Sequence, residues 1–184
     1  FTSVDDKGCS LIKMDENGTT LKATFYALEY IGEEVLYEGD SFIIVRDWDH
    51  ILSLDPSNYN RDVKLVTSFI EETRELCSLP CEISDDFDMS SWDMSGVKSM
   101  YFTFWNTNGF EQDLSKWDVS GVNSMEGIFF HAYNMNSDIS SWDVSNVKIM
   151  KRMFRGAKYA NPDVSQWDVS QVRDMKEMFL GTDI

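Results

Sequence analysis

Four tryptophans, Trp92, Trp117, Trp142 and Trp167, stand 25 residues apart each time. The surrounding residues keep the same phase. Each Trp is followed by Asp93, Asp118, Asp143 or Asp168, and two residues later by Ser95, Ser120, Ser145 or Ser170. Val97, Val122, Val147 and Val172 come next, then Met100, Met125, Met150 and Met175, then Phe104, Phe129, Phe154 and Phe179. An Asp-apolar-Ser triplet precedes every Trp: Asp88-Met89-Ser90, Asp113-Leu114-Ser115, Asp138-Ile139-Ser140 and Asp163-Val164-Ser165. A unit this short cannot bury its own apolar face, so it must stack on its neighbours.

Each unit reads as one strand, one helix and two turns. Trp117-Asp118-Val119 alternates apolar, polar, apolar, which predicts a short strand with Trp117 and Val119 facing inward. Ser120 suits a helix N-cap. Val122, Met125 and Phe129 follow at i, i+3 and i+7, one face of a helix. Gly156 and Gly181 fall where such helices end. The expected fold class is an α/β solenoid: right-handed coils of one short parallel strand plus one helix, closed by a small N-terminal β cap. The Trp, Val, Met and Phe columns form its structural core. A Met-rich recognition groove is the second reading of the methionines.

A degenerate coil precedes these, with Leu65, Thr67, Ser68 and Ile70 in the places of Trp92, Met94, Ser95 and Val97. Ser68 and Glu71 form a capping box, predicting a helix from there to about residue 76. Residues 1–58 do not repeat. Segments 11–14 and 20–25 flank Asp15-Glu16-Asn17-Gly18, and segments 34–37 and 41–45 flank Glu38-Gly39-Asp40, which are two hairpin signals. Residues 47–54 predict a short helix ended by Pro56. The chain therefore divides into a cap over 1–58 and a solenoid over 59–184, with coils at about 59–86, 87–111, 112–136, 137–161 and 162–184. The last coil stops before its closing Asp-apolar-Ser, and residue 1 is Phe. A processed protein or a piece of a longer one is expected, continuing past residue 184 or docking there on a partner.

The 32 acids and 16 bases leave a net charge of −16. Sixteen of the acids lie in 1–80 and sixteen in 81–184, so the charge is not a tail. A field of this sign repels nucleic acid and anionic membrane. No apolar run approaches the roughly 20 residues that a membrane helix needs, so neither nucleic acid nor membrane insertion is expected. Aromatic residues make up 14% of the chain, which argues against disorder.

The pattern Trp-Asp-Val-Ser-x-Val-x-x-Met-x-x-Met-Phe resembles the 25-residue repeat of BspA-like leucine-rich-repeat surface proteins. It is clearest at Trp142-Asp-Val-Ser-Asn-Val-Lys-Ile-Met150-Lys-Arg-Met-Phe154 and Trp167-Asp-Val-Ser-Gln-Val-Arg-Asp-Met175-Lys-Glu-Met-Phe179. Asp15-Glu-Asn-Gly-Thr-Thr-Leu-Lys-Ala23 and Asp62-Val-Lys-Leu-Val-Thr-Ser68 are similar to that family's lead-in, so the likeness covers roughly 12–184. The second coil departs, with Tyr101-Phe-Thr-Phe104-Trp105 where the family prefers Met-Phe; Trp105 reads as an exposed or shifted aromatic. The resemblance implies leucine-rich-repeat-like coils in a secreted or surface-exposed, non-enzymatic protein of adhesion or recognition. It supplies no catalytic residues and no cofactor.

The strand face is the expected binding face: Ser91, Asp93 and Ser95; Lys116, Asp118 and Ser120; Ser141, Asp143 and Ser145; Gln166, Asp168 and Ser170. Its Asp column and the column Asp88, Asp113, Asp138 and Asp163 have two readings. Each carboxylate accepts from turn amides or a neighbouring Ser, or the column Asp93, Asp118, Asp143, Asp168 binds calcium. Calcium wants six to eight oxygens in one cage, more than single Asp residues supply. Otherwise no metal is expected. Cys77 and Cys81 read either as buried thiols or as a disulfide in an exported chain, with Cys9 then unpaired. Of two histidines, His50 and His131, the second is expected at a helix end facing solvent. No catalytic motif is visible, and the protein is expected not to be an enzyme. Its expected partner is a protein or glycan on another surface, outside the cell. The alternative is copies of itself in a filament, virion or surface layer.

Overall fold

The computed structural model describes residues 12–14, 21–23, 34–37, 40–47, 64–67, 70–74, 89–90, 92–107 and 112–183. Strand β1 (Ile12–Met14) pairs antiparallel with β2 (Leu21–Ala23), Ile12 opposite Ala23. Strand β3 (Glu34–Tyr37) pairs antiparallel with β4 (Asp40–Ile44). Strand β5 (Lys64–Val66) joins β4 in parallel, with Leu65 opposite Ile43. Both of these residues are buried and belong to the same apolar cluster as Trp92 and Met100. The core of the repeats is thus continuous with the three-stranded sheet. The helix expected over 47–54 lies outside the described residues apart from Asp47.

No helix occurs among the described residues, so the expected alternation of strand and helix is overturned. The capping-box segment gives β6 (Glu72–Arg74), paired in parallel with β7 (Ser99–Tyr101) at an offset of 27 residues. The parallel pairing then passes down the repeats as single bridges, Ser99 to Ser124, Ser124 to Ile149 and Ile149 to Asp174. It lies seven residues after each Trp rather than on the Trp-Asp-Val triplet. The leucine-rich-repeat-like coil goes with the helices.

The physical reason is visible where the helix was expected. The amides of Met125, Gly127, Phe129 and His131 donate to the carbonyls of Ile149, Lys151, Met153 and Arg155 in the next coil. The alternate amides of Ile128 and Phe130 close local turns on Met125 and Gly127. A helix needs all of its amides internally; here half are spent between coils. The backbone turns left-handed at Phe102, Gly127, Arg152 and Glu177, and again at Asn106, His131, Gly156 and Gly181. Two left-handed residues four positions apart in each coil break any right-handed helix there. Ser120 caps nothing: its amide and hydroxyl both donate to Asp118 Oδ1, at 3.1 and 2.6 Å.

Side chains stack in columns over this framework. Trp92 lies on Trp117 with centroids 6.2 Å apart, and Trp117 on Trp142 at 6.4 Å, within 9° of parallel. Phe104, Phe129, Phe154 and Phe179 follow at 5.4 to 5.6 Å. Val97, Val122 and Val147 and Met100, Met125 and Met150 are fully buried between them. In the last coil Met175 and Phe179 are 41% and 39% exposed. Each indole also bonds backwards: Trp117, Trp142 and Trp167 donate to the carbonyls of Met89, Leu114 and Ile139.

Trp117→Ala removes a ring held between two others and a buried hydrogen bond. It should destabilise the protein by about 3–5 kcal/mol, measured by urea denaturation. Lys116→Ala, beside it but exposed, should stay within about 0.5 kcal/mol of the parent.

Candidate binding surface

Two surfaces of the stack carry polar or aromatic side chains in register. The first holds the two aspartate columns. Asp113 Oδ1 accepts from the amide and hydroxyl of Ser115 at 3.0 and 2.6 Å. Asp138 repeats this with Ser140, and Asp93 with Ser95. Asp143, Asp163 and Asp168 accept from the amides of Ser145, Ser165 and Ser170. Each pair closes a tight Asp-x-Ser turn within one coil. The serine partner is the coil's own, two residues on.

These bonds favour the ionised carboxylate. The Ser hydroxyl first, then the Ser amide, holds Asp113 and Asp143 below the usual carboxylate range. For Asp138, Asp163 and Asp168 the amide leads and the hydroxyl follows. Repulsion works the other way, Asp113 and Asp163 acting on Asp138 and Asp168 on Asp143, and it is outweighed.

Of the expected face, Lys116, Asp118, Ser141, Asp143, Gln166 and Asp168 are exposed. Asp93 is 4% exposed, with its amide bonded to Thr67 Oγ1 at 2.7 Å. Ser91 lies outside the described residues, as do Cys9, Cys77, Cys81, His50 and Asp88. Ser141 donates to the Ser115 carbonyl one coil back. For the calcium reading, each Asp Oδ1 is already engaged by a turn. Among the described residues no group of three or more His, Cys, Asp or Glu side chains converges as metal ligands.

The second surface is aromatic and lies on the left-handed segments. Tyr101 touches Phe102 with centroids 4.6 Å apart, and Phe102 meets Trp105 edge-on at 6.2 Å. Phe102 also meets Phe130 of the next coil at 5.3 Å. Phe130 meets His131 at 4.4 Å, and His131 meets Tyr133 at 5.8 Å. Tyr159, one coil further, donates its amide to the Tyr133 carbonyl. Tyr101, Tyr133 and Tyr159 are 44%, 41% and 61% exposed. His131 is therefore neither at a helix end nor fully in solvent; its ring lies against Gly156.

Glycine makes room for two of these rings. A Cβ on Gly127 would stand 2.6 Å from the Phe102 ring, and one on Gly156 2.6 Å from His131 Nδ1. Both glycines are left-handed, with φ of +63° and +71°. Phe102 has φ 52° at the place Gly127 fills one coil later, a conformation costing a bulky residue about 1–3 kcal/mol.

Cations edge the rings. The Arg155 guanidinium stands 5.8 Å over Phe130 and Lys158 Nζ 4.9 Å over Tyr159. Arg152 and Arg155 both pair with Glu177 Oε2. The hydrogen bond from Arg152, then the charge of Arg155, holds Glu177 below the usual carboxylate range. Lys151 pairs with Glu126 at 2.9 Å.

Of this strip, sequence reasoning singled out His131 and the departure from the repeat at Tyr101 to Trp105. It missed Phe130 and Tyr133, although Phe130 departs from the repeat too, standing where Arg155 and Leu180 follow.

Stacked coils with constant cores and variable outer columns define a 25-residue-repeat protein. Residues 78–183, more than half of the chain, match the family described as "Mycoplasma protein of unknown function, DUF285". The chain belongs to that family. No curated protein matches it, and no solved structure does.

Two outcomes test the surfaces. Carboxylates held low in the fold stabilise it above the unfolded aspartate range and lose that effect as pH falls through their folded values. Stability should therefore hold from neutrality to about pH 5 and fall below it. In Asp138→Asn/Asp143→Asn/Asp163→Asn that acid slope should flatten, as read from denaturation midpoints. Gly127→Ala should cost more than about 1 kcal/mol and shift Trp105 fluorescence by displacing Phe102. Gly181→Ala, whose Cβ would meet nothing closer than 3.7 Å, should cost less.

Proposed function

We propose that this protein is a non-enzymatic recognition module that binds a partner surface through its aromatic strip. The observation that carries this is the run Tyr101, Phe102, Phe130, His131 and Tyr133, in ring-to-ring contact across two coils with both end rings over 40% exposed. Aromatic rings supply large contact area at low entropic cost and dominate binding surfaces.

The Asp–Ser surface becomes the secondary contact, since its carboxylates are engaged in turns that hold the coil. The likeness of the repeat to BspA-like surface proteins supports an extracellular or cell-surface location and a role in adhesion.

The test is a printed array of oligosaccharides and extracellular-matrix proteins, probed with labelled protein. Wild type should be retained on at least one class of spot. Phe102→Ser/Tyr133→Ser, with an unchanged denaturation midpoint, should lose most of that retention. Retention equal in the variant, or none for wild type on any spot, would overturn the reading.

A further inference from the structure

The charge on this chain is not evenly shared with the aromatic strip. Residues 144–162 carry Lys148, Lys151, Arg152, Arg155 and Lys158 and no acid, in a protein with twice as many acids as bases. Four of these cations lie at the strip. Lys151 is matched by Glu126. Arg152 and Arg155 share the single carboxylate of Glu177, so that group keeps a positive charge in excess. Lys158 stands over the exposed ring of Tyr159, with the charge of Asp183 acting on it.

We propose that the strip takes an acidic linear glycan, a chain of carboxylated or sulfated pyranoses laid along the stack. This names the ligand of the surface proposed above and rests on that reading. Three features converge. Exposed ring faces offer flat apolar platforms for the C–H faces of sugars. Exposed rings stand on three successive coils, at Tyr101, Tyr133 and Tyr159, and parallel pairing spaces coils by about 4.8 Å, comparable with the length of one pyranose. The Arg155 guanidinium, planar and already seated on Phe130, presents a fork that fits carboxylate or sulfate oxygens. A neutral glycan would use the platforms and leave the cations idle. An acidic peptide would use the cations and lack a flat face at each repeat.

Calorimetric titration with three soluble probes tests this: a heparin hexasaccharide, cellohexaose and hexaglutamate. The heparin hexasaccharide should bind, and raised salt should weaken it. Cellohexaose should bind at least about tenfold more weakly, and hexaglutamate not measurably. Arg155→Gln and Phe130→Leu should each reduce affinity for the heparin hexasaccharide about tenfold, a loss of about 1.4 kcal/mol. Denaturation midpoints of the variants establish that they fold, and Lys158→Gln serves as a second charge variant if Arg155→Gln does not. Equal binding of cellohexaose overturns the charge requirement, and equal binding of hexaglutamate makes the partner an acidic peptide. If no probe binds while the array still shows strip-dependent retention elsewhere, the glycan assignment fails and recognition stands. If the array is also blank, both fail.

Discussion

The stack depends on one carbonyl per coil that serves two coils at once. The Leu114 carbonyl accepts the amide of Trp117 in its own coil at 3.1 Å and the indole of Trp142 in the next at 2.9 Å. The Met89 and Ile139 carbonyls do the same with Trp92 and Trp117, and with Trp142 and Trp167. A buried indole N–H without an acceptor costs about 1–3 kcal/mol. Each indole that finds its acceptor in the preceding coil therefore fixes both spacing and phase. The 25-residue period follows, since one extra residue would move the acceptor away from the indole and the ring off its stack.

This constraint accounts for the missing helix. Coils joined by side-chain burial alone would tolerate a helix on the outer side, as the i, i+3, i+7 spacing of Val122, Met125 and Phe129 suggested. In the structure those same residues are fully buried on a backbone whose alternate amides reach the next coil. Two left-handed positions per coil turn the chain so that apolar residues spaced by three or four still point inward. Helical spacing was a true signal of inward facing and a false signal of helix. The Asp-x-Ser motif misled in a related way: a hydroxyl able to cap a helix closes an Asp turn with equal chemistry, and sequence does not distinguish the two.

What the sequence made legible was therefore phase. The period, the stacked rings and the inward alternation of Trp117, Asp118 and Val119, with Asp118 exposed between two buried neighbours, could be read from identity at fixed offsets. The pairing of β6 with β7 at 27 residues matches the offset between Ser68 and Ser95. Backbone handedness was not legible, because Phe102, Arg152 and Glu177 adopt at φ above 50° what only Gly127 advertises. Of the aromatic strip, Tyr101 to Trp105 stood out as a departure from the repeat, while Phe130 and Tyr133 did not. A search for repetition finds the core, and the strip is made of residues that do not repeat.

That division has a functional consequence. Columns that hold the coils together cannot vary: substituting one Trp or Phe leaves its neighbours in adjacent coils unstacked. Columns outside are released from that demand, as the series Tyr101, Glu126, Lys151, Lys176 and the series Trp105, Phe130, Arg155, Leu180 show. Each outer column is a short ladder of independently chosen side chains about 4.8 Å apart, on a scaffold whose geometry does not depend on the choice. Residues 102 to 133 place rings there and residues 151 to 158 place cations, with Arg155 over Phe130 joining the two groups. A surface composed one coil at a time suits an extended ligand laid along the stack, one unit meeting rings on one coil while the next meets cations on its neighbour.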